Sequence, residues 1–251
     1  MPKIIKLLPI LRCVEDFFIP PLCVVCDSAL GNDGDRWFCP ACINALAANH
    51  SQRDDVCPRC SQNRRKRECA CEFAWDFSFE KVFSAYDYDS TVSSIAKHIK
   101  YKGKSRLAYH TGVVTAPLLP REFFMRADMV VPVPLHKSKM RRRGYNQAEH
   151  FARGVLNGLN GGGAGLGLKL RTDLLIRVKN TGTQTKLDRE DRLQNLIGAF
   201  AANPQKITEL KGKNVILVDD IFTTGATAES CAEELLRAGC ATVRVLAMGR
   251  D

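Results

Sequence analysis

Short apolar runs alternate with amphipathic stretches along residues 81–251. The apolar runs predict strands at 81–88, 128–134, 173–178, 213–220 and 241–249. A helical period predicts helices at 90–119 (interrupted near Gly103), 146–159, 188–200 and 226–239. Asn146 and Glu149 form a capping pair at the start of the second helix, and the glycine-rich run 160–167 is a surface loop. Alternating strands and helices indicate an α/β fold with a mostly parallel, twisted sheet covered on both faces.

Residues 1–80 are predicted to form a separate small domain, with a short amphipathic helix followed by a cysteine-rich module. Eight of the eleven cysteines of the chain lie between residues 23 and 71, arranged as closely spaced pairs. In a reducing compartment such pairs are thiolate ligands rather than disulfides, and four thiolates close a structural zinc site. We prefer two sequential sites, although an interleaved pairing stays open: Cys23, Cys26, Cys39 and Cys42, then Cys57, Cys60, Cys69 and Cys71.

The segment VILVDDIFTTGAT, residues 215–227, ends a buried strand with two acids and continues into hydroxyl residues around a glycine. Asp219 and Asp220 at the carboxyl end of a strand need hydroxyl groups or a cation to offset their burial. The amides of the following loop open onto a helix N-terminus, which attracts phosphate. An ordinary strand-to-helix turn would not need these side chains. The combination fits a ribose 5-phosphate.

The net charge of +10 is concentrated in one part of the chain. Residues 97–153 carry thirteen Lys or Arg against three Asp or Glu, whereas residues 1–80 are nearly neutral. Such a basic segment is typical of proteins that bind a polyanion or a phosphate-bearing ligand, although a solubilising surface is the alternative. The run 64–67 of the cysteine-rich module could likewise contact phosphates or form a solvated turn.

No stretch approaches the ~20 apolar residues that cross a bilayer. The N-terminal apolar run is interrupted by Lys6, Pro9 and Arg12, and no small-residue cleavage site follows it. The chain is therefore expected to act in the cytosol.

The ordered set of motifs resembles the ComF family. The set comprises FFIPPLCVVC, CPAC, CPRC, IKYKGKSRLA, VPVPLHKSKMRRRGYNQAEHFARGV, NTGTQTKLDREDRLQNLIGAF and VILVDDIFTTGAT, and it covers nearly the whole chain. This family contains proteins with a fold of the type I phosphoribosyltransferase kind that are linked to DNA uptake and natural competence. The last motif is similar to the phosphoribosyl-pyrophosphate signature of those transferases.

The resemblance implies a role for each candidate residue. The acid pair would bind the ribose hydroxyls directly or through Mg²⁺, and the loop would bind the 5′-phosphate: Asp219, Asp220, Thr223, Thr224, Gly225, Ala226 and Thr227. Five cations, several of them on a mobile segment, would contact pyrophosphate or DNA phosphate: Lys102, Lys139, Arg141, Arg142 and Arg143. A second polar motif contains Gln184, Arg192 and Asn195. Two structural Zn²⁺ ions, as expected from the cysteine spacing above, would complete the cofactor set.

Three functions are weighed. The first is a competence factor that binds phosphoribosyl pyrophosphate and single-stranded DNA and works with the DNA-uptake machinery at the inner membrane. The second is an active phosphoribosyltransferase acting on an amine or a nucleobase, and the third is a zinc-stabilised adaptor that has lost its ligand. No general base stands out, so any transfer reaction would depend on positioning and charge stabilisation. The sequence leaves enzymatic activity open.

Overall fold

The computed structural model describes residues 21–31, 35–51, 53–69, 71, 77–101, 103–161, 166–180, 196 and 198–251. Within these ranges the strands are β1 (Val82–Asp87), β2 (Met129–Pro132), β3 (Lys169–Leu170), β4 (Leu175–Arg177), β5 (Phe200–Ala202), β6 (Asn214–Phe222) and β7 (Thr242–Arg250). The α-helices are α1 (Pro40–Ser51), α2 (Ser90–Tyr101), α3 (Ser105–Thr115), α4 (Arg121–Phe124), α5 (Lys137–Arg143), α6 (Gln147–Asn160) and α7 (Ala226–Arg237). Short 3₁₀ turns occupy Ala116–Leu118 and Ile207–Leu210.

Five strands form a parallel sheet in the order β1-β7-β6-β2-β3, and β4 pairs with β5 as a separate antiparallel hairpin. The predicted mostly parallel α/β fold is therefore confirmed. Helices α2, α3 and α6 cover one face of the sheet, while α7 and the hairpin cover the other. Along β6, Ile216 and Val218 enter the first core and Val215 and Leu217 enter the second. A strand buried on both faces needs an unbroken apolar run.

Most predicted elements are found within one or two residues of their expected bounds. Strand β6 extends past the predicted end at 220 to Phe222, because it keeps pairing with β7 as far as Arg250. The Asn146 side chain caps α6 by accepting a hydrogen bond from the Ala148 amide at 3.0 Å. Glu149, the predicted second half of that cap, pairs instead with Arg153. The predicted N-terminal helix and most of the predicted helix 188–200 lie outside the described residues.

The cysteine-rich segment covers the free edge of β1, the outer strand of the sheet. The amides of Val82 and Ser84 donate to the Arg59 carbonyl and the Ser61 hydroxyl. A ring nitrogen of His50 lies 2.8 Å from the carbonyl oxygen of Ala85. The exposed backbone groups of an unpaired strand edge can pair with another chain, and the cysteine-rich segment provides hydrogen-bond partners for some of those of β1.

The same segment contributes to the core of the sheet. Val24, Phe38 and Leu46 belong to one hydrophobic cluster with Tyr86 and Val92. Side chains from both sides of residue 80 thus pack in one hydrophobic cluster, and the domain boundary at residue 80 stays a prediction. None of the helices formed by the described residues is both long enough and apolar enough to cross a membrane.

Candidate ligand site and cysteine clusters

The carboxyl ends of β2 and β6 form a topological switch point. These two strands are neighbours, but α6 leads from β2 outward to β3 on one face, and α7 leads from β6 to β7 on the other. The diverging connections leave a crevice between the two strand ends, which is where parallel α/β sheets bind ligands. The acid pair, the threonine loop and the basic helix α5 all follow these two strand ends in the chain.

Asp219 and Asp220 point to opposite faces of the sheet because successive side chains of a strand alternate. Asp220 lies on the side of α2, where its Oδ2 is 2.6 Å from the Nζ of Lys100. Burial opposes ionisation of Asp220, but the Lys100 ammonium group outweighs it and lowers the pKa of this carboxyl below its usual value. Asp220 is therefore a charged, paired carboxylate with only 8% of its surface exposed.

Asp219 is in the opposite state. Burial, reinforced by the negative charge of Asp220, raises its pKa to about 8. Its Oδ1 accepts a hydrogen bond from the Asp220 amide at 2.8 Å. Asp219 is therefore mostly protonated near neutral pH until a cation reaches it.

The threonine loop, residues 223–227, connects β6 to α7. Gly225 precedes the helix with a φ of +86°, and a Cβ atom there would lie 2.6 Å from the Phe77 ring. The Thr224 hydroxyl accepts a 3.4 Å hydrogen bond from the Ala226 amide, so one helix-end donor has a weak internal acceptor. Arg250 supports the loop from behind by donating to the carbonyl of Thr223 at 2.6 Å.

The predicted basic segment after β2 is helix α5, and five of its seven residues are Lys or Arg. His136 caps its start by accepting from the Ser138 amide at 3.2 Å, and Gly144 ends it at a φ of +81°. The Lys139 pKa is lowered by burial and by four neighbouring cations, namely Arg177, Arg143, Arg142 and Lys100. Lys139 is therefore influenced by four other cations, one of which, Lys100, is paired with Asp220.

The structure brings most of the predicted site residues to one edge of the sheet. Lys139, Arg142 and Arg143 belong to the cation group, and Arg141 and Arg142 are both exposed. Lys102, Gln184, Arg192 and Asn195 lie outside the described residues.

Two cations of the site, Lys100 and Arg177, were not predicted. Lys100 follows Val92 and Ala96 at four-residue spacing, so it continues the buried stripe of α2. Arg177 shares a strand face with the buried Leu175. A charge at a position where periodicity predicts the core was the signal for both residues.

The eight paired cysteines form two groups, each with its four Sγ atoms within 4.8 Å of one another. The groups are sequential: Cys23, Cys26, Cys39 and Cys42, then Cys57, Cys60, Cys69 and Cys71. Every cysteine in the described part of the chain is a free thiol. Four converging thiols are a donor set that fits a tetrahedral metal ion, with zinc the usual occupant.

Each group begins with the same turn. In the first, the Cys23 amide donates to the Ser28 carbonyl and Asp27 has a positive φ of 57°. In the second, the Cys57 amide donates to Gln62 and Ser61 also has a φ of 57°. Isolated bridges close both turns, between Leu22 and Ala29 and between Val56 and Asn63. The cysteine-rich segment therefore contains one structural unit twice.

Comparison with known proteins agrees with this architecture. The family described as Phosphoribosyl transferase domain matches residues 142–248. DNA utilization protein YhgH of Salmonella typhimurium is 28% identical over 243 residues, covering 92% of this chain and 98% of that protein. Competence protein ComFC of Bacillus subtilis is 24% identical over 236 residues, covering 87% of this chain and 90% of that protein. These similarities support the assignment of the chain to the ComF family. Competence protein F of Haemophilus influenzae is 33% identical over 123 residues, 49% of this chain and 50% of that protein.

The transferase-domain match covers one part of this site. The match begins inside α5 and ends inside β7, so it includes the acid pair and the threonine loop. Lys100 and both cysteine clusters lie outside it. The full-length relatives extend over these parts as well, since they cover about nine tenths of the chain.

Proposed function

We propose that this ComF protein handles single-stranded DNA entering the cell during natural competence and binds phosphoribosyl pyrophosphate at the ends of β2 and β6. The observation that carries the proposal is the convergence of the acid pair, the threonine loop and the cations around Lys139. Its place of action is the cytosol, where thiol clusters stay reduced. Its partners include the DNA-uptake machinery at the inner membrane.

The pocket offers a separate group for each part of the ligand. Thr223, Thr224 and Thr227, with the amides around Gly225, bind the 5′-phosphate. Asp219 and Asp220 bind the ribose hydroxyls or hold Mg²⁺, which neutralises pyrophosphate charge when bound. The cations around Lys139 face the pyrophosphate group.

The DNA-binding surface consists of α5 and the end of α2. The guanidinium groups of Arg141 and Arg142 are exposed and suit contacts with a phosphate backbone. Tyr101 is 70% exposed, which leaves its ring open for stacking on a base. The Lys104 ammonium lies 5.7 Å from the centre of the Trp37 ring and adds a second aromatic and cationic position. Charge with accessible aromatic rings is typical of single-strand binding.

The names of the relatives support this role. Two of them are called competence proteins, and others are called DNA utilization proteins. The cysteine clusters complete the proposal as two structural zinc sites. Because a closed four-thiolate site has no open coordination position, we assign these sites no catalytic step.

Phosphoribosyl transfer to an amine or nucleobase is the second candidate function. The presence of both acids and the complete threonine loop favours it. In such a reaction the cations would stabilise the departing pyrophosphate, and the acids would stabilise a positively charged sugar. Pyrophosphate release in a panel of amines and nucleobases measures this activity directly, and silence across the panel favours a binding role.

Calorimetry of the metal-loaded protein with phosphoribosyl pyrophosphate and single-stranded DNA, separately and together, tests the main proposal. We expect both ligands to bind, and a change in one affinity caused by the other would show that the two surfaces are coupled. Asp219→Asn with Asp220→Asn should abolish binding of the sugar ligand and leave the fold intact. Binding of neither ligand by the folded wild-type protein would refute the proposal.

The DNA surface is tested by replacing Arg141, Arg142 and Arg143 together with alanine. Affinity for single-stranded DNA should fall, and its dependence on salt should become less steep, because fewer counterions are released on binding. The control replaces Lys206, Lys211 and Arg237, which removes the same charge near the start of β6 and the end of α7. Equal losses in both triple variants would show attraction to net charge rather than a defined surface.

A further inference from the structure

Arg250, the last residue of β7, lies directly behind the threonine loop. Its Nη1 donates to the carbonyl of Thr223 at 2.6 Å and to that of Phe222 at 3.3 Å. Its guanidinium carbon lies 5.0 Å from the centre of the Phe222 ring. One side chain therefore holds both the backbone and the aromatic ring at the point where β6 becomes the loop.

Arg250 also interacts electrostatically with the second cysteine cluster. Burial lowers the pKa of Arg250, whereas its interaction with Cys60 is the strongest influence in the opposite direction, with Asp251 and Cys71 also contributing. The Nε atom is buried and has no hydrogen-bond acceptor among the residues that the structure describes. A metal-bound cluster fixes its cysteines as thiolates and carries a net negative charge, which compensates a buried guanidinium.

A second set of contacts joins the same cluster to the end of β1. Ser61, which follows Cys60, accepts hydrogen bonds from Arg53 at 2.7 Å. Asn63, at the end of that turn, donates to Asp87 at 2.8 Å. Asp87 is the register neighbour of Arg250 across β1 and β7.

The first cluster is placed differently. Its turn contacts α2 through the Val24 carbonyl, which accepts from Ser94 at 2.8 Å. Asp35, between its two cysteine pairs, pairs with His110 of α3. The first cluster therefore contacts the helices on one face of the sheet, whereas the second contacts the end of β1 next to Arg250. The two clusters differ in this way although their turns are alike.

We propose that Arg250 is a positioning residue through which metal occupancy of the second cysteine cluster controls the shape of the threonine loop. The proposal rests on the proposed function, because it describes regulation of the same phosphosugar site. Loss of metal from this cluster would free the turn whose Asn63 donates to Asp87, the register neighbour of Arg250, and Arg250 would then no longer be held in place to donate to the loop carbonyls. Loss of metal from the first cluster leaves this connection intact.

Hydrogen exchange of the amides at 222–228 tests the connection without any ligand. The comparison uses the metal-loaded wild type, Arg250→Met, Cys71→Ser for the second cluster and Cys26→Ser for the first, with metal content measured in each. Exchange should accelerate in Arg250→Met and in Cys71→Ser but not in Cys26→Ser. The double variant Arg250→Met with Cys71→Ser should exchange no faster than either single variant, because both changes break one connection.

Ribose 5-phosphate affinity gives the functional measurement. Arg250→Met should weaken binding about tenfold, as expected for a loop that has lost charge-assisted hydrogen bonds. Arg244→Met is the matched control, since Arg244 lies on the same strand and also donates to two backbone carbonyls, of Phe123 and Met125, away from the loop. Failure of the wild type to bind ribose 5-phosphate would contradict the proposed function, while the exchange experiment would still test Arg250.

A reciprocal measurement applies even where a cysteine variant does not fold. Ribose 5-phosphate should strengthen metal retention by the wild-type protein in equilibrium competition with a chromogenic chelator, and by the same factor that metal strengthens sugar binding. Arg250→Met should abolish this effect. Unchanged loop exchange in Arg250→Met, or ligand-dependent metal retention that persists in that variant, would overturn the proposal.

Discussion

The two neighbouring carboxylates of β6 differ in charge because they face different sides of the sheet. Asp220 is paired with the ammonium group of Lys100, whereas the partly buried Asp219 lies beside the negative charge of Asp220. One strand thus presents a charged acid and a mostly protonated acid at adjacent positions. Binding of a cation or a sugar therefore has to change both the ion pair of Asp220 and the protonation of Asp219.

Lys100 and Asp220 should stabilise the folded protein mainly through their interaction with each other. Lys100→Met leaves a nearly buried carboxylate without its counter-ion and should destabilise the protein by roughly 1–3 kcal/mol. Adding Asp220→Asn should restore most of this loss, because no uncompensated charge remains. Urea denaturation of the two single variants and the double variant measures the coupling. Additive losses would show that the contact contributes no pairwise stabilisation.

The raised pKa of Asp219 predicts a specific dependence of stability on pH. The pKa of this carboxyl is ~4 in the unfolded chain and about 8 in the folded protein, so between these values the folded protein holds a proton that the unfolded chain has lost. The contribution of Asp219 to the free energy of unfolding therefore falls as pH rises through this window. Asp219→Asn should therefore gain stability relative to wild type between pH 5 and pH 8, measured by urea denaturation at both values.

Asp128→Asn is the control for this pH experiment. The amide of Asn214 leads the interactions that lower the Asp128 pKa, so Asp128 stabilises the fold above its unfolded pKa and loses that contribution only in more acidic solution. The difference between Asp128→Asn and wild type should stay constant from pH 5 to pH 8. A constant difference for Asp219→Asn as well would contradict the assigned protonation state.

At the scale of elements, the tight packing of the threonine loop against the segment before β1 fixes the loop's shape. Phe77 stacks on Phe79 with ring centres 4.8 Å apart and covers Gly225. The Glu229 carboxylate of α7 accepts a 2.6 Å hydrogen bond from the Ser78 hydroxyl. The loop is therefore bounded by residues that lie almost 150 positions earlier in the chain.

Gly225→Ala should be more damaging than Gly144→Ala, although both glycines have nearly the same φ. At Gly144 the added methyl group meets open space, so only backbone strain of roughly 1–2 kcal/mol is expected. At Gly225 the methyl group also collides with the Phe77 ring, which adds roughly 1–3 kcal/mol and should disrupt ribose 5-phosphate binding. Thermal denaturation and calorimetry measure both effects, and equal losses of stability would mean that the ring moves aside.

The parts of the site that could be predicted from sequence are those that are local in the chain. Strand β6, its acids and the threonine loop follow one another without a gap, so pattern and chemistry identified them together. Lys100 and Arg250 were missed because their roles depend on which elements pack together: α2 meets β6 across 120 residues, and β7 ends behind the loop. Helix α5 was expected only as a mobile basic segment, since its His136 cap is an uncommon capping residue.

At the scale of the whole molecule, the cysteine-rich segment stabilises the sheet that binds the ligand. It covers the edge of β1 and contributes three side chains to the core around Tyr86. A segment with two thiol clusters and few apolar residues depends on metal for its own folding. The stability of the sheet should therefore depend on metal as well.

Removal of metal should lower the melting temperature of the entire protein. Loss of the packing of Val24, Phe38 and Leu46 would cost several kcal/mol, equivalent to a fall of roughly 10 °C for a chain of this size. Calorimetry before and after treatment with a mercurial and a chelator, with metal counted by mass spectrometry, tests this. A sheet that melts at the same temperature in both forms would show that it folds independently.

The repeated cysteine turn has a consequence for oxidative damage. Cys26 of the first cluster is exposed, whereas Cys57 and Cys60 of the second are buried against β1. Oxidants in solution should therefore reach Cys26 sooner than Cys57 or Cys60. A mild oxidant should accordingly modify the first copy of the turn at Cys26 before it modifies the second copy at Cys57 or Cys60.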